Sequence, residues 1–251
     1  MPSLAWVVQI TNAILLKVGN LVKLERKANV CYISPMTDLF LATNNPGKIR
    51  EYEQLLAPLE VKLWTPRMLG LEITVREEAA SYAENARLKA LTYVRASGMP
   101  TLADDSGLEV DALGGAPGIH SARYAGHDAN DADRYHLLLQ QLEGLPWEKR
   151  TARFRCVLVL ATPDGEVYST EGVCEGIIGF EPRGSHGFGY DPIFFLPEYG
   201  MTMAQLSPEV KNRVSHRARA VQEMLPILSR VLAGRTLHSR KDADGQSHLS
   251  S

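Results

Sequence analysis

Residues 152–161 read ARFRCVLVLA and residues 166–178 read EVYSTEGVCEGII, with the turn signal Thr162-Pro163-Asp164-Gly165 between them. Two long strand-like runs joined by such a turn predict an antiparallel hairpin. Outward from it, the chain alternates between strand and helix periods. Leu39–Thr43 is a short apolar strand running into Asn44, Asn45, Pro46, Gly47 and Lys48. Asn45 suits a helix N-cap and Pro46 the first helical position. Ile49, Tyr52, Leu55 and Leu56 then mark one helical face, stopped before Pro58. Ser81 and Glu84 have the spacing of a capping box, and Ala86, Leu88, Ala90, Leu91 and Val94 carry that helix to Gly98. Thr101–Ala103 reads as a strand ending in Asp104-Asp105-Ser106-Gly107, and Asp131–Leu142 as a helix closed by Gly144. Ser207-Pro208 opens a helical pattern that continues past His216 to about Leu232, with a kink expected at Pro226. Helices interleaved with parallel-type strands and one long antiparallel hairpin define an α/β fold with a mixed sheet.

The chain has 251 residues, 45% of them apolar and 22% charged, with a formal charge of −2. That length can bury a sizeable core, and the balance lacks the basic excess of a dedicated duplex-DNA binder. It leaves room for a small nucleotide, which needs only a local cluster of donors. Residues 1–35 read as an appendage. Leu4, Val7, Val8, Leu15, Val18 and Val22 fit one stripe of a marginal amphipathic helix. Polar residues interrupt the run too often for a membrane span, and no basic n-region or cleavage site suggests a secretory signal. Residues 235–251 are polar and aperiodic, as in a disordered tail. The first 35 residues carry four basic side chains and one acidic; the last 17 carry three and two. The domain expected at 36–234 is therefore −6, and any polyanion it binds must be neutralised locally. Cys31, Cys156 and Cys174 have no metal-ligand spacing, and free thiols in a reducing compartment fit them best.

Four segments carry chemistry. Ala42–Ile49 is a strand, a polar turn and a helix start, where free N–H groups and the helix dipole favour an anion and Lys48 adds a charge. It lacks the hydroxyl that follows the lysine of a P-loop, and a capped turn with an exposed lysine would look the same. Asp104 and Asp105 are adjacent carboxylates that repel unless a cation or shared proton intervenes. Side chains alternate along a strand, so only one of them is expected in the cleft. Carboxylates suit Mg²⁺, which takes one or two of them plus substrate phosphates; Glu77 and Glu78 could supply another. Gly184–Pro192 contains Phe188, Gly189, Tyr190 and Asp191, a flexible frame offering an aromatic face for a base and a carboxylate for a ring N–H. Lys211, Ser215, His216 and Arg217 lie on the last helical pattern, where Lys211 and Ser215 share a face or form part of a solvated basic surface.

Together these segments resemble the inosine triphosphate pyrophosphatase family, which hydrolyses non-standard purine nucleoside triphosphates. The resemblance rests on FLATNNPGKI at 40–49, LADDSGLEVDALGGAPGIHSARYAGH at 102–127, TARFRCVLV at 151–159, PRGSHGFGYDPIFFL at 182–196 and SHRAR at 215–219, spanning about residues 39–233 in the family's order. It implies a two-lobed α/β fold with a long mixed sheet, a nucleotide cleft between the lobes, a homodimer, and a magnesium-dependent reaction releasing monophosphate and pyrophosphate. In the family's motifs Thr43, Asn44, Asn45, Pro46, Gly47 and Lys48 match the triphosphate loop. Asp105 matches the base for the attacking water and a metal ligand, and Ser106 a substrate contact. Phe188, Gly189, Tyr190, Asp191 and Lys211 match the nucleotide lining, and His216 with Arg217 the purine reader. Glu77 matches the second magnesium ligand, but the local sequence is shorter than the family's and lacks its glycine, so Glu78 is the alternative.

Donors near C6 and an acceptor such as Asp191 would suit a 6-oxo purine and leave buried groups unpaired with adenine. Such a mismatch is worth factors of ~10⁴. The resemblance thus points to a cytoplasmic enzyme acting on ITP, dITP and XTP, with no nucleic-acid or membrane partner. A septum-inhibitor-type pyrophosphatase with pyrimidine or modified-base substrates is the near alternative, and a non-catalytic nucleotide sensor the distant one.

Overall fold

The computed structural model describes residues 37–75 and 79–244, with side chains to residue 233, and the backbone of four strands within the first 36 residues. Two units divide between Thr37 and Asp38. In the first, β1 (Val7–Ile10), β2 (Ala13–Val18), β3 (Leu21–Arg26) and β4 (Asn29–Ile33) pair antiparallel in sequential order. This corrects the amphipathic helix expected over residues 1–35. The segment is rich in Val and Ile, which lose rotamer freedom in a helix and suit a pleated strand. Gly19-Asn20, between β2 and β3 in the sequence, also breaks the helical period.

The second unit holds a mixed seven-stranded sheet in the order β11-β10-β9-β8-β7-β5-β6. These strands are β5 (Asp38–Leu41), β6 (Lys62–Trp64), β7 (Thr101–Val110), β8 (Thr151–Ala161), β9 (Val167–Ile178), β10 (Phe194–Leu196) and β11 (Met201–Thr202). β5 pairs parallel with β6 and β7, and the remaining ladders are antiparallel. The hairpin of the sequence is β8–β9, in unbroken register from Thr151↔Ile177 to Ala161↔Val167. One strand is longer than its sequence suggested. β7 does not stop before Asp104 but runs through Asp104-Asp105-Ser106-Gly107 to Val110, because β8 pairs with it throughout.

Strand alternation sorts side chains to the two faces. Leu39, Leu41, Leu102, Leu158 and Leu160 pack against α1 (Pro46–Leu55) and α5 (His216–Asp244) through Tyr52, Val221, Met224 and Leu228. Phe40, Ala103, Val157 and Val159 pack instead against α2 (Tyr82–Ser97) through Ala86, Ala90, Tyr93 and Val94. A third apolar cluster joins Leu108, Val110, Phe154, Ile178 and Phe194 to Leu138 and Leu142, at and beside α3 (Asp131–Gln141). Ser81 caps α2 by accepting from the Glu84 amide, but Glu84 receives the Ser81 hydroxyl rather than completing a capping box.

The last helical pattern is two helices. α4 (Pro208–Val214) ends at Ser215, whose backbone is extended and whose Oγ accepts from the Ala218 N–H, so Ser215 caps α5. This corrects the shared face expected of Lys211 and Ser215, and the break turns His216 and Arg217 inward. α5 passes Pro226 and continues to Asp244, correcting the tail expected from 235; residues 245–251 lie outside the described residues. No Gly or Pro occurs between 235 and 244, and extending a formed helix is far easier than nucleating one. α5 also approaches β9 very closely: a Cβ on Gly172 would lie 2.0 Å from the His216 carbonyl oxygen and 2.4 Å from the Ala220 nitrogen. Backbone cannot yield as a flexible side chain does, so Gly172→Ala is expected to cost about 1–3 kcal/mol. A urea midpoint below that of the wild type is the expected reading; an unchanged midpoint would contradict this packing.

Candidate active site

β7 is paired by β8 along its whole length, whereas β5 pairs only with Thr101 and Leu102. On that side the next bridge along β7 is Glu109 with Pro117. Between these points lies an open edge beyond the carboxyl end of a parallel strand, a common place for ligand sites in α/β sheets. A cavity of about 350 Å³ lies there, lined by Thr43, Asn44, Asn45, Lys48, Lys89, Asp105, Ser106, Phe188, Gly189, Tyr190, Asp191, Lys211, His216 and Arg217 among others.

Alternation along β7 sends the two aspartates to opposite faces. Asp105 faces α2, where it accepts from Asn85 Nδ2 at 3.0 Å and lies 3.8 Å from Lys89 Nζ. Lys89 Nζ also donates to the Asp104 carbonyl at 2.5 Å. Asp104 faces the opposite way and is buried, its Oδ2 lying 2.9 Å from Lys48 Nζ and 3.4 Å from an Arg217 nitrogen. Arg217 also donates to Ser106 Oγ at 3.1 Å and pairs with Glu51; Lys211 pairs with Glu51 at 2.8 Å and with Asp191. Charges therefore alternate without interruption from Lys48 through Asp104, Arg217, Glu51 and Lys211 to Asp191.

Burial alone would neutralise such groups; their partners prevent it. Burial opposes ionisation of Asp104, but Lys48, Arg217 and Lys89 hold its carboxyl well below the usual carboxylate range. Burial likewise opposes the charge on Glu51, and Arg217 and Lys211 outweigh it, lowering its pKa. Lys211 is kept charged against burial by Asp191 and Glu51, its pKa raised above the ordinary lysine value. Burial raises the pKa of Asp191, and contact with Lys211 Nζ and the Phe188 N–H works against that rise. His216 behaves oppositely: burial, with Arg217 and Lys211 nearby, pushes its pKa well below the ordinary histidine value, and the ring is neutral.

The structure changes several expectations about individual groups. Asn45 does cap α1, but its Oδ1 accepts the Gly47 and Lys48 N–H groups at 2.8 and 3.1 Å. Those amides are not free for an anion, so the positive charge of Lys48 matters more than the helix start. Lys48 itself is mostly buried rather than an exposed lysine. Pro46 starts the helix without lining the cavity. Gly47 lies under Phe188, where a Cβ would be 2.4 Å from the ring. Asp191 Oδ2 is occupied by the Phe188 N–H at 2.9 Å and by Lys211, so it anchors the aromatic loop. Tyr190 Oη donates to the Ser121 carbonyl at 2.9 Å, which makes this tyrosine largely a brace. Glu77 and Glu78 lie outside the described residues.

Sequence reasoning missed Glu51, Asn85, Lys89 and Asp131. Asn85 and Lys89 are spaced i,i+4 on the same stripe as Ala86 and Ala90, so polar residues on an apolar helix face were the available signal. Glu51 follows Lys48 by one turn and carried no comparable mark. Asp131 Oδ2 accepts the Gly189 N–H at 2.7 Å and holds the aromatic loop from the α3 side.

A mixed sheet whose open edge gathers a carboxylate, several lysines and arginines and an aromatic face defines an α/β enzyme built for an anionic, ring-bearing ligand. The Ham1 family model matches residues 39–227, and the chain belongs to the Ham1 family. It is 49% identical over 189 residues to the dITP/XTP pyrophosphatase of Geobacillus kaustophilus, covering 75% of this chain and 93% of that one. It is 51% identical over 185 residues to the protein of the same name from Thermus thermophilus, covering 74% and 88%. Among solved structures, a HAM1 protein from Coxiella burnetii matches with a TM-score of 0.70 at 40% identity, covering 78% of this chain and 100% of that chain.

The neutral His216 makes stability depend on pH. Its folded pKa is depressed, so below about pH 6.5 the unfolded chain takes a proton that the folded chain refuses. Stability from this group is present above that value and is lost as pH falls. Asp104 and Glu51, also depressed, lose theirs only near and below the ordinary carboxylate range. Between pH 7.5 and 5.5 the wild type is expected to lose about 1 kcal/mol more stability than His216→Gln, measured by urea denaturation. Equal losses in the two proteins would contradict a neutral buried ring.

Proposed function

We propose that this protein hydrolyses 6-oxo purine nucleoside triphosphates such as ITP, dITP and XTP to the monophosphate and pyrophosphate, clearing non-standard purines from the nucleotide pool. The observation that carries the reading is the meeting of Asp105, Lys48 and Lys89 with Phe188, His216 and Arg217 around one cavity. Family membership and relatives named dITP/XTP pyrophosphatase support it.

Lys89 on α2 and Lys48 on α1, from opposite faces of the open edge, would neutralise the phosphates and the pyrophosphate leaving group. Asp105, held by Asn85 and next to Lys89, would accept the proton of the attacking water. On the α5 side Phe188 would stack on the base. His216 Nδ1 and Arg217 Nε are buried with no hydrogen-bond partner in the structure. Leaving such a group unpaired costs about 1–3 kcal/mol, so a ligand that supplies partners is favoured. A 6-oxo purine offers an acceptor to the guanidinium; adenine offers a donor there.

Among the described residues no cluster of three or more His, Cys, Asp or Glu could hold a metal. Asp105 at the cavity wall fits Mg²⁺, which takes few protein ligands and completes its shell with phosphates and water. Asp105 would hold it, with Glu77 or Glu78 as the second ligand. Bound there, Mg²⁺ would supply positive charge to the phosphate oxygens.

We further propose a homodimer in the cytoplasm. Cys156 and Cys174 are free, buried thiols, pushed up to about 12 and about 11 by burial, as suits a reducing compartment. No helix among the described residues is long and apolar enough to cross a membrane.

Incubation with ITP, dTTP or GTP and Mg²⁺ should give IMP and pyrophosphate from ITP at the highest kcat/KM. Orthophosphate release, no turnover, or preference for dTTP would overturn the reading. Asp105→Asn should lower kcat by about 10²-fold or more while nucleotide binding survives; a wild-type kcat would remove Asp105 from this role.

A further inference from the structure

Asp104 touches both halves of the site through a single atom. Its Oδ2 lies 2.9 Å from Lys48 Nζ, 3.4 Å from Arg217 Nη2 and 3.3 Å from Ser106 Oγ. The side chain is 1% exposed, so water cannot substitute for either cation. Lys48 stands at the phosphate loop and Arg217 at the purine reader, and among the described residues Asp104 is the one side chain that pairs with both. Lys48 is 15% exposed and faces the cavity, so it can reach out; Arg217 is 2% exposed and fixed also by Glu51.

We propose that Asp104 is a positioning residue that couples base recognition to phosphate binding, its one oxygen shared between Lys48 and Arg217. The proposal rests on the reading of the site as a purine triphosphate pyrophosphatase. When phosphates draw Lys48 away, Arg217 is the one ion-pair partner left on Asp104 Oδ2, and that ion pair tightens and fixes the guanidinium against the base. The converse follows by reciprocity: a base that seats Arg217 firmly on Asp104 makes Lys48 easier to release onto the phosphates. A base that mis-seats Arg217 leaves Lys48 needed where it is. Discrimination is thereby expressed at the phosphates as well as at the ring.

Lys48 supplies the test, because it lies away from the purine reader and would not move base selectivity if its role were confined to the phosphates. The ratio of kcat/KM for ITP over ATP is measured in wild type, Lys48→Met, Asp104→Asn and Asp104→Glu, with inhibition by inorganic triphosphate measured in parallel. In Asp104→Asn the ratio is expected to fall about tenfold, and in Lys48→Met, where a mis-seated Arg217 leaves the buried carboxylate without either cation, to rise. Inorganic triphosphate should bind Asp104→Asn at least as tightly as wild type, because Lys48 is no longer held back. Asp104→Glu should recover part of the ratio. If Lys48→Met slows both nucleotides equally, the coupling is refuted, even should Asp104→Asn fail to fold. Weakened triphosphate binding in a folded Asp104→Asn would refute it too. Absence of ITP hydrolysis in the wild type would instead overturn the functional reading beneath it.

Discussion

The buried carboxylate of Asp104, held between Lys48 and Arg217, is the constraint on which the rest of the site depends. An ionised group with almost no exposure cannot persist without close partners, and each partner needs its own counter-charge. Arg217 therefore needs Glu51, Glu51 brings in Lys211, and Lys211 brings in Asp191. The chain of ion pairs ties β7, α1, α4, α5 and the aromatic loop into one body. Its geometry makes demands on the scaffold. α5 must lie almost on β9, which Gly172 allows, and Phe188 must lie over the start of α1, which Gly47 allows. Phe188 then stands 5.1 Å from Lys211 Nζ and 5.5 Å from the Arg217 guanidinium carbon, so the cations also hold the ring.

This arrangement also resolves a difficulty of charge. A domain of formal charge −6 gains nothing from its overall field when the ligand is a polyanion. The cations must be local and preorganised, and lysines and arginines confined near one cavity repel each other unless acids are interleaved. Alternation of sign is the low-energy solution. It leaves Lys48 and Lys89 at the cavity wall, while Lys211 and Arg217 are each fixed between two acids. The same alternation frees Asp105 from the ladder: one residue further along β7, it faces α2 instead.

Much of this was legible in the sequence. The β8–β9 hairpin, the Asn45 cap, α2 and α3 followed from local periodicity and turn chemistry, which act within a few residues. The failures came where distant contacts decided. β7 continued through two aspartates because β8 pairs with it, although an acidic pair reads locally as a strand end. The helix break at Ser215 looked like continuous helix because Ser is tolerated in both settings and only its capping hydrogen bond distinguishes them. The first 35 residues fitted a helical stripe, but their content of Val and Ile favoured strands. Asp191 looked like a free acceptor because nothing local announces that Lys211 and the Phe188 amide will occupy it. Glu51 and Lys89 were invisible as functional groups, since a charged residue on a helix is ordinarily a solvated one. Their burial is a property of the assembled sheet.

The phosphates are assigned to the stretch of the open β7 edge between Lys48 on α1 and Lys89 on α2, and the base to the stretch beside Phe188, His216 and Arg217. A crystal structure with a non-hydrolysable ITP analogue tests this division most directly. The expected result is a phosphate chain against Lys48, Lys89 and Asp105, with hypoxanthine stacked on Phe188 beside His216 and Arg217. A base seated at Lys89 and Asp105, or phosphates gathered at His216, would contradict it.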